Sequence, residues 1–237
     1  MLAVAFAERT LTGLVFSALV IGIATYFGEP FIFDPIVLIA IGAIAIFFRR
    51  NLDLFTICSA IVAERAFEEL MWRFLENTIW FKIPTYFILV ILAYMLSRGI
   101  FRMYLMSFFA IAISAEIYWF FINYKSPYIL WPCFTIIEAV ALARYFKMRA
   151  FWLIEMNPKL EVKPILLDTQ LILTFYAFVI IYSLYTFEYY LRHLFGYSDL
   201  TSVYYAYPYL ASGIAIYKLY LIVLNSVDHL RAIELDA

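Results

Sequence analysis

The chain is poor in the residues that build the commonest chemical sites. Its two histidines and two cysteines form neither a CxxC pair nor a His/Cys cluster, so a structural zinc site or a disulfide framework lacks ligands. Cys58 and Cys133 each sit inside an apolar run, where small buried hydrophobes belong. Seven glycines are scattered, and none forms a Gly-rich phosphate loop. A GxSxG nucleophile turn and a DxxD diphosphate motif are also missing. No metal or cofactor is implied. Charge is scarce and balanced: 17 Lys and Arg stand against 18 Asp and Glu, a net charge of −1. Nucleic acid, which needs a basic face, is excluded as a partner.

What fills the chain instead is apolar: 66% of residues are hydrophobic and 21% aromatic. A soluble domain of this size still exposes roughly a quarter of its unfolded surface, too much to hide such a composition from water. The expected partner is the lipid bilayer. A spanning helix needs about 20 mostly apolar residues to cross about 30 Å of hydrocarbon. Runs near 11–28, 32–48, 79–97, 103–124, 128–146, 169–191 and 203–226 qualify. The first has no small-residue cleavage site and is followed by more of its kind, unlike a signal peptide.

Between the second and third runs lies 54–76. It starts with LFTICSAIVA and continues as AERAFEELMWRFLE, with Glu64, Arg65, Glu68, Glu69, Arg73 and Glu76. At 100° per residue the charges occupy one half of the helix, and Ala63, Ala66, Phe67, Leu70, Met71 and Phe74 the other. Such a helix either lies at the interface or spans with its polar half turned to protein or water.

The positive-inside rule separates the two. If 54–76 spans, the chain has eight helices with both termini cytoplasmic. The inside then holds Arg9, Arg49, Arg50, Arg98, Arg102, Arg144, Lys147, Arg149, Lys159, Lys163 and Arg231. The outside holds Arg73, Lys82, Lys125 and Arg192, eleven against four. If 54–76 lies flat, seven spans remain and the count becomes eight against eight. The spanning arrangement is therefore expected. It makes the protein an all-α, polytopic transmembrane helix bundle of one domain over residues 1–237, in a bacterial inner (plasma) membrane. Residues 147–168 form a cytoplasmic connector whose RAFWLIEM portion lies along the membrane surface. Trp72, Trp80, Trp119 and Trp131 gather toward the outer leaflet as an aromatic belt.

Charges inside spans are expensive on a lipid face, about 2.5–3.5 kcal/mol each on insertion scales, so they should face protein or water. From Leu54, Glu64 is about 15 Å deep and Glu68 about 21 Å. From Arg102, Glu116 is about 21 Å deep, and from Tyr128 Glu138 is about 15 Å deep. Glu116 and Glu138 are on consecutive antiparallel helices flanked by small residues, and are expected to approach each other. Lys218, in SGIAIYKLYLIVL, can snorkel or pair with one of the glutamates. Arg65–Glu69 and Glu69–Arg73 are spaced as i,i+4 structural ion pairs. That leaves Glu64, Glu68, Glu116 and Glu138, with Lys218, as the candidate ion path. Carboxylates bind cations when ionised and carry protons when desolvated. Pro208 and Gly213, in the last run, are a candidate hinge.

Glu68-Glu69-Leu-Met-Trp-Arg73 reads as EExxxR, which resembles the first motif of the CAAX-protease and bacteriocin-processing family of membrane enzymes. The resemblance covers six residues and implies a membrane-embedded hydrolase centred on EELMWR. That family also uses histidines on later helices. Here Tyr189-xxx-His193 imitates one such pattern, and the topology puts His193 and His229 on opposite sides of the membrane. No catalytic residue is assigned. The expected function is a channel or secondary transporter for cations or protons. The alternative is a non-catalytic membrane subunit, working within a homo-oligomer or a larger membrane complex.

Overall fold

The structure, a computed structural model, describes residues 30–74, 79–124, 129–156 and 165–236, with single positions 9, 10, 13, 17, 20 and 21 before them. All regular structure among these residues is helical. In order it comprises α1 (Pro30–Phe47), α2 (Leu52–Phe74), α3 (Ile79–Leu96), α4 (Gly99–Phe121), α5 (Leu130–Met156), α6 (Leu166–Phe195) and α7 (Ser202–Asp236). In hydrocarbon a backbone must satisfy its own hydrogen bonds, which an apolar run does by coiling into a helix.

The helix ends have local causes. Asn51 caps α2, its Oδ1 accepting the Leu54 N–H at 3.1 Å. Gly99, the first residue of α4, and Gly196, after α6, have φ of +58° and +74°, a left-handed conformation that a side chain resists. The closing carbonyls of α3 find cationic donors. Arg144 Nη1 donates to the Met95 carbonyl at 2.7 Å, and Arg102 Nε to that of Ser97 at 3.0 Å.

The backbone groups into two compact units. Within the described residues, the first takes its chain from Met1–Ala66, Phe146–Thr174 and Pro208–Ala237. Its core includes Leu54, Ile57 and Cys58 of α2, Leu167 and Leu171 of α6, and Leu219 and Ile222 of α7. The second is made of Phe67–Tyr145 and Phe175–Tyr207. There α3 packs on α4, and small buried residues such as Ala93, Ala112 and Ala115 let helix axes come close. Cys58 and Cys133 are free thiols buried in these cores.

Among the described residues, three helices are long and apolar enough to cross a membrane: α4, α6 and the Ser202–Leu230 part of α7. Val37–Phe47 and Trp80–Leu96 are shorter apolar stretches. Large apolar side chains point outward from α4, Met103 being 70% and Phe121 76% exposed, which suits hydrocarbon and not water. These are the marks of a helical integral membrane protein.

Each run from the second onward, 54–76 included, coincides with a helix, while the first, 11–28, lies outside the described residues apart from single positions. RAFWLIEM, up to Met156, continues α5 without a break. No glycine interrupts that helix, and its one proline, Pro132, sits harmlessly in the first turn. Trp80 is 84% exposed, whereas Trp119 is 1% exposed and belongs to the core. Its ring faces that of Tyr190 at 6.1 Å.

Candidate functional site

In the first unit the two mid-helix charges meet. Glu64 lies about 18 Å along α2 from Leu52, and Lys218 about 24 Å along α7 from Ser202. Lys218 Nζ donates to Glu64 Oε1 at 3.2 Å, with side chains 2% and 7% exposed. Arg65 Nη2 is 3.8 Å from the same oxygen. The other oxygen, Glu64 Oε2, is buried without a hydrogen-bond partner. One oxygen is thus held by a cation, and the second is a buried acceptor open to a proton.

The same unit holds a second cluster that sequence reasoning missed. Arg149 of α5 is fully buried. Its Nε and Nη2 donate to Asp168 Oδ1 and Oδ2 at 2.7 and 2.8 Å, and its Nη1 to Asp53 Oδ1 at 2.6 Å. Asp168 Oδ2 also accepts the Ile165 N–H at 3.1 Å. Asp53 and Asp168 each lie in the first turn of a helix, where the dipole favours an anion. Burial alone would lower the Arg149 pKa. The bonds from Asp168 and then Asp53 outweigh it, and the pKa is raised. Counted by charge alone, Arg149 was one more cytoplasmic cation. The available signal was a lone aspartate opening each of two helices.

In the second unit Lys82 Nζ donates to both carboxylate oxygens of Glu116, at 3.0 and 2.9 Å. The side chains are 8% and 14% exposed. Lys82, counted at the external end of its run, is a buried residue in the first turn of α3. Glu116 therefore has a lysine partner, and Glu138 sits half-buried on α5. Glu68 accepts a hydrogen bond from the Tyr182 hydroxyl at 3.4 Å, and the Tyr207 hydroxyl donates to that of Tyr182 at 2.9 Å.

Glu188 was not singled out from sequence, yet it is 3% exposed and caps a helix. Its oxygens accept the N–H groups of Val203 and Tyr204 at 2.6 and 2.9 Å, two of the donors that the first turn of α7 leaves open. His193 Nδ1 shares a hydrogen bond of 2.9 Å with the Tyr124 hydroxyl. His229, in the first unit, has its ring 6.0 Å from that of Phe48.

Arg65 and Glu69 are half-buried on α2, and the side chain of Arg73 lies outside the described residues. Pro208 and Gly213 are both inside α7, which runs unbroken through them. A Cβ at Gly213 would meet nothing within 4 Å, so no close packing demands glycine there. Among the described residues, no three His, Cys, Asp or Glu side chains gather to hold a metal ion.

Compared with protein-family models, curated proteins and solved structures, the chain matches none. Function has to be read from the buried charges themselves.

Proposed function

We propose that the protein is a channel or secondary transporter that moves protons or small cations through its buried carboxylates. In this reading about eight helices, α2 among them, cross a bacterial inner membrane, with both termini cytoplasmic. The observation that carries it is the Glu64–Lys218 pair with its open Oε2. Ionisable groups inside spanning helices are costly, are paired with one another, and mark ion pathways. Protonating Glu64 cancels the negative charge that Lys218 and Arg65 face, so proton binding alters the electrostatics at mid-helix. Glu68 follows one turn later on α2, about 6 Å along the axis.

The experiment is flux in proteoliposomes under an imposed membrane potential. Wild-type protein should pass protons or a small cation, and Glu64→Gln should cut the rate by about tenfold or more. An unchanged rate in Glu64→Gln overturns the assignment.

A second reading draws on a different observation. Lys82 engages both oxygens of Glu116, the geometry of a structural tie. Ties of that kind support a non-catalytic membrane subunit, alone as a homo-oligomer or inside a larger complex. It is favoured if wild-type protein passes no ion and co-purifies with a membrane partner, released by changes in 147–168.

A further inference from the structure

We infer that Tyr207 and Tyr182 form a hydroxyl relay that delivers a proton to Glu68, which makes the proton the ion that the protein carries. The inference rests on the transport reading above and sharpens it from cations in general to one ion.

Three observations within the second unit carry it. The donors point one way: the Tyr207 hydroxyl donates to Tyr182 at 2.9 Å, and the Tyr182 hydroxyl to Glu68 Oε1 at 3.4 Å. The middle link is dry. Tyr182 is 4% exposed, with the rings of Trp131 and Phe178 at 5.5 and 5.9 Å. The two ends are more open, Tyr207 and Glu68 each being half-buried. A wire with a sealed centre and accessible ends suits a particle handed from oxygen to oxygen.

The chemistry of the links selects the ion. A phenol hydroxyl donates and accepts at once, so it can take a proton on one lone pair while releasing its own. A hard metal cation instead needs about six oxygen ligands together, and Tyr182 presents a single neutral oxygen among aromatic rings. The step balances as follows. The Tyr182 O–H bond breaks as Glu68 Oε1–H forms, and the Tyr207 O–H bond breaks as Tyr182 regains its proton. Tyr207 is reprotonated by hydronium from the aqueous side, which leaves water. Both phenols are neutral before and after, and one positive charge has moved to the carboxylate. An ordinary phenol pKa of about 10 makes a free phenolate costly, so the two transfers proceed together. The 3.4 Å link has to shorten before the joint transfer can take place.

The test uses the full chain in proteoliposomes, with a pH-sensitive dye inside and radioactive rubidium outside, under an inside-negative potential. Wild-type protein should acidify the lumen without taking up rubidium, and more slowly in D₂O. Tyr182→Phe and Tyr207→Phe should each reduce acidification about 100-fold. Tyr185→Phe should not, because its ring packs on Tyr207 at 4.9 Å while its hydroxyl is no link of the chain. A thermal unfolding midpoint matching wild type shows that the Phe variants are folded; a variant that fails this check is replaced by Tyr182→Trp or Tyr207→Trp. Wild-type acidification that survives both Phe changes, or rubidium uptake without acidification, overturns the relay and leaves transport standing. Passage of neither ion by wild type overturns the transport reading itself.

Discussion

Lys218 Nζ and Glu64 Oε1 lie 3.2 Å apart, with both side chains more than nine-tenths buried. Such a pair is not simple reinforcement. Removing two charges from water is expensive, and their attraction only roughly repays it. Leaving one charge behind is worse. Lys218→Met and Glu64→Leu should each lower stability by about 3–5 kcal/mol, while the double variant should recover most of that loss. A double-mutant cycle on unfolding in detergent reads it. Two single losses that simply add in the double variant would mean that the residues do not act as a pair.

The Arg149 fork calls for a different substitution. Lysine keeps the charge but cannot bridge Asp168 with two parallel donors while a third reaches Asp53. Arg149→Lys should therefore destabilise nearly as much as Arg149→Met, by about 3 kcal/mol or more. The pH dependence has a definite sign. The Arg149 pKa is raised, so its contribution is complete below the usual guanidinium range and is lost only as pH rises through the still higher folded value. The stability gap between wild type and Arg149→Met should stay level from about pH 7 to about pH 10. A gap that closes across this range would overturn the assignment of the tie to the guanidinium.

Glu188 caps α7 from another helix. Glu188→Gln keeps one carbonyl acceptor for Val203 or Tyr204 and loses the charge that the helix N-terminus favours, so it should cost about 1 kcal/mol. Glu188→Ala leaves both N–H groups open and should cost about 2 kcal/mol or more. Equal midpoints for the two variants would mean that the cap is not an energetic one.

The helices were legible because apolar run length depends on the chain alone. Residues 79–97 became α3 and 169–191 became the centre of α6, with ends displaced by a few residues. Displacement was large only where no breaker stops the coil, as in α5 beyond Phe146 and α7 beyond Ser226. The singled-out charges were legible as unusual, because a carboxylate in an apolar run always needs a partner. Which partner was not legible. Glu116 and Glu138 looked like neighbours from their shared connector, but helix rotation decides such contacts, and Glu116 meets Lys82, 34 residues earlier. Lys218 and Glu64 are 154 residues apart, and no local pattern encodes that distance. Arg149 and Glu188 were hidden for the opposite reason: near helix ends, a charge is too ordinary to stand out.

The orientation of α2 can be settled with the protein's own thiols out of the way. Cys58 and Cys133 are both fully buried, so a membrane-impermeant maleimide should leave intact wild-type protein unlabelled. Single cysteines in place of Arg50 and Asn77 then flank the helix. A helix of 23 residues is about 35 Å long, enough to cross the hydrocarbon. In right-side-out vesicles Asn77→Cys should react, and Arg50→Cys only after the membrane is opened. Reaction of both from the same side would lay α2 along the surface, leave at most seven crossings and move Glu64 and Glu68 to the interface. Outside the hydrocarbon a buried charged pair is less costly and needs no proton path to explain it. The transport reading would then fall with the orientation, because its force comes from the cost of charge inside hydrocarbon.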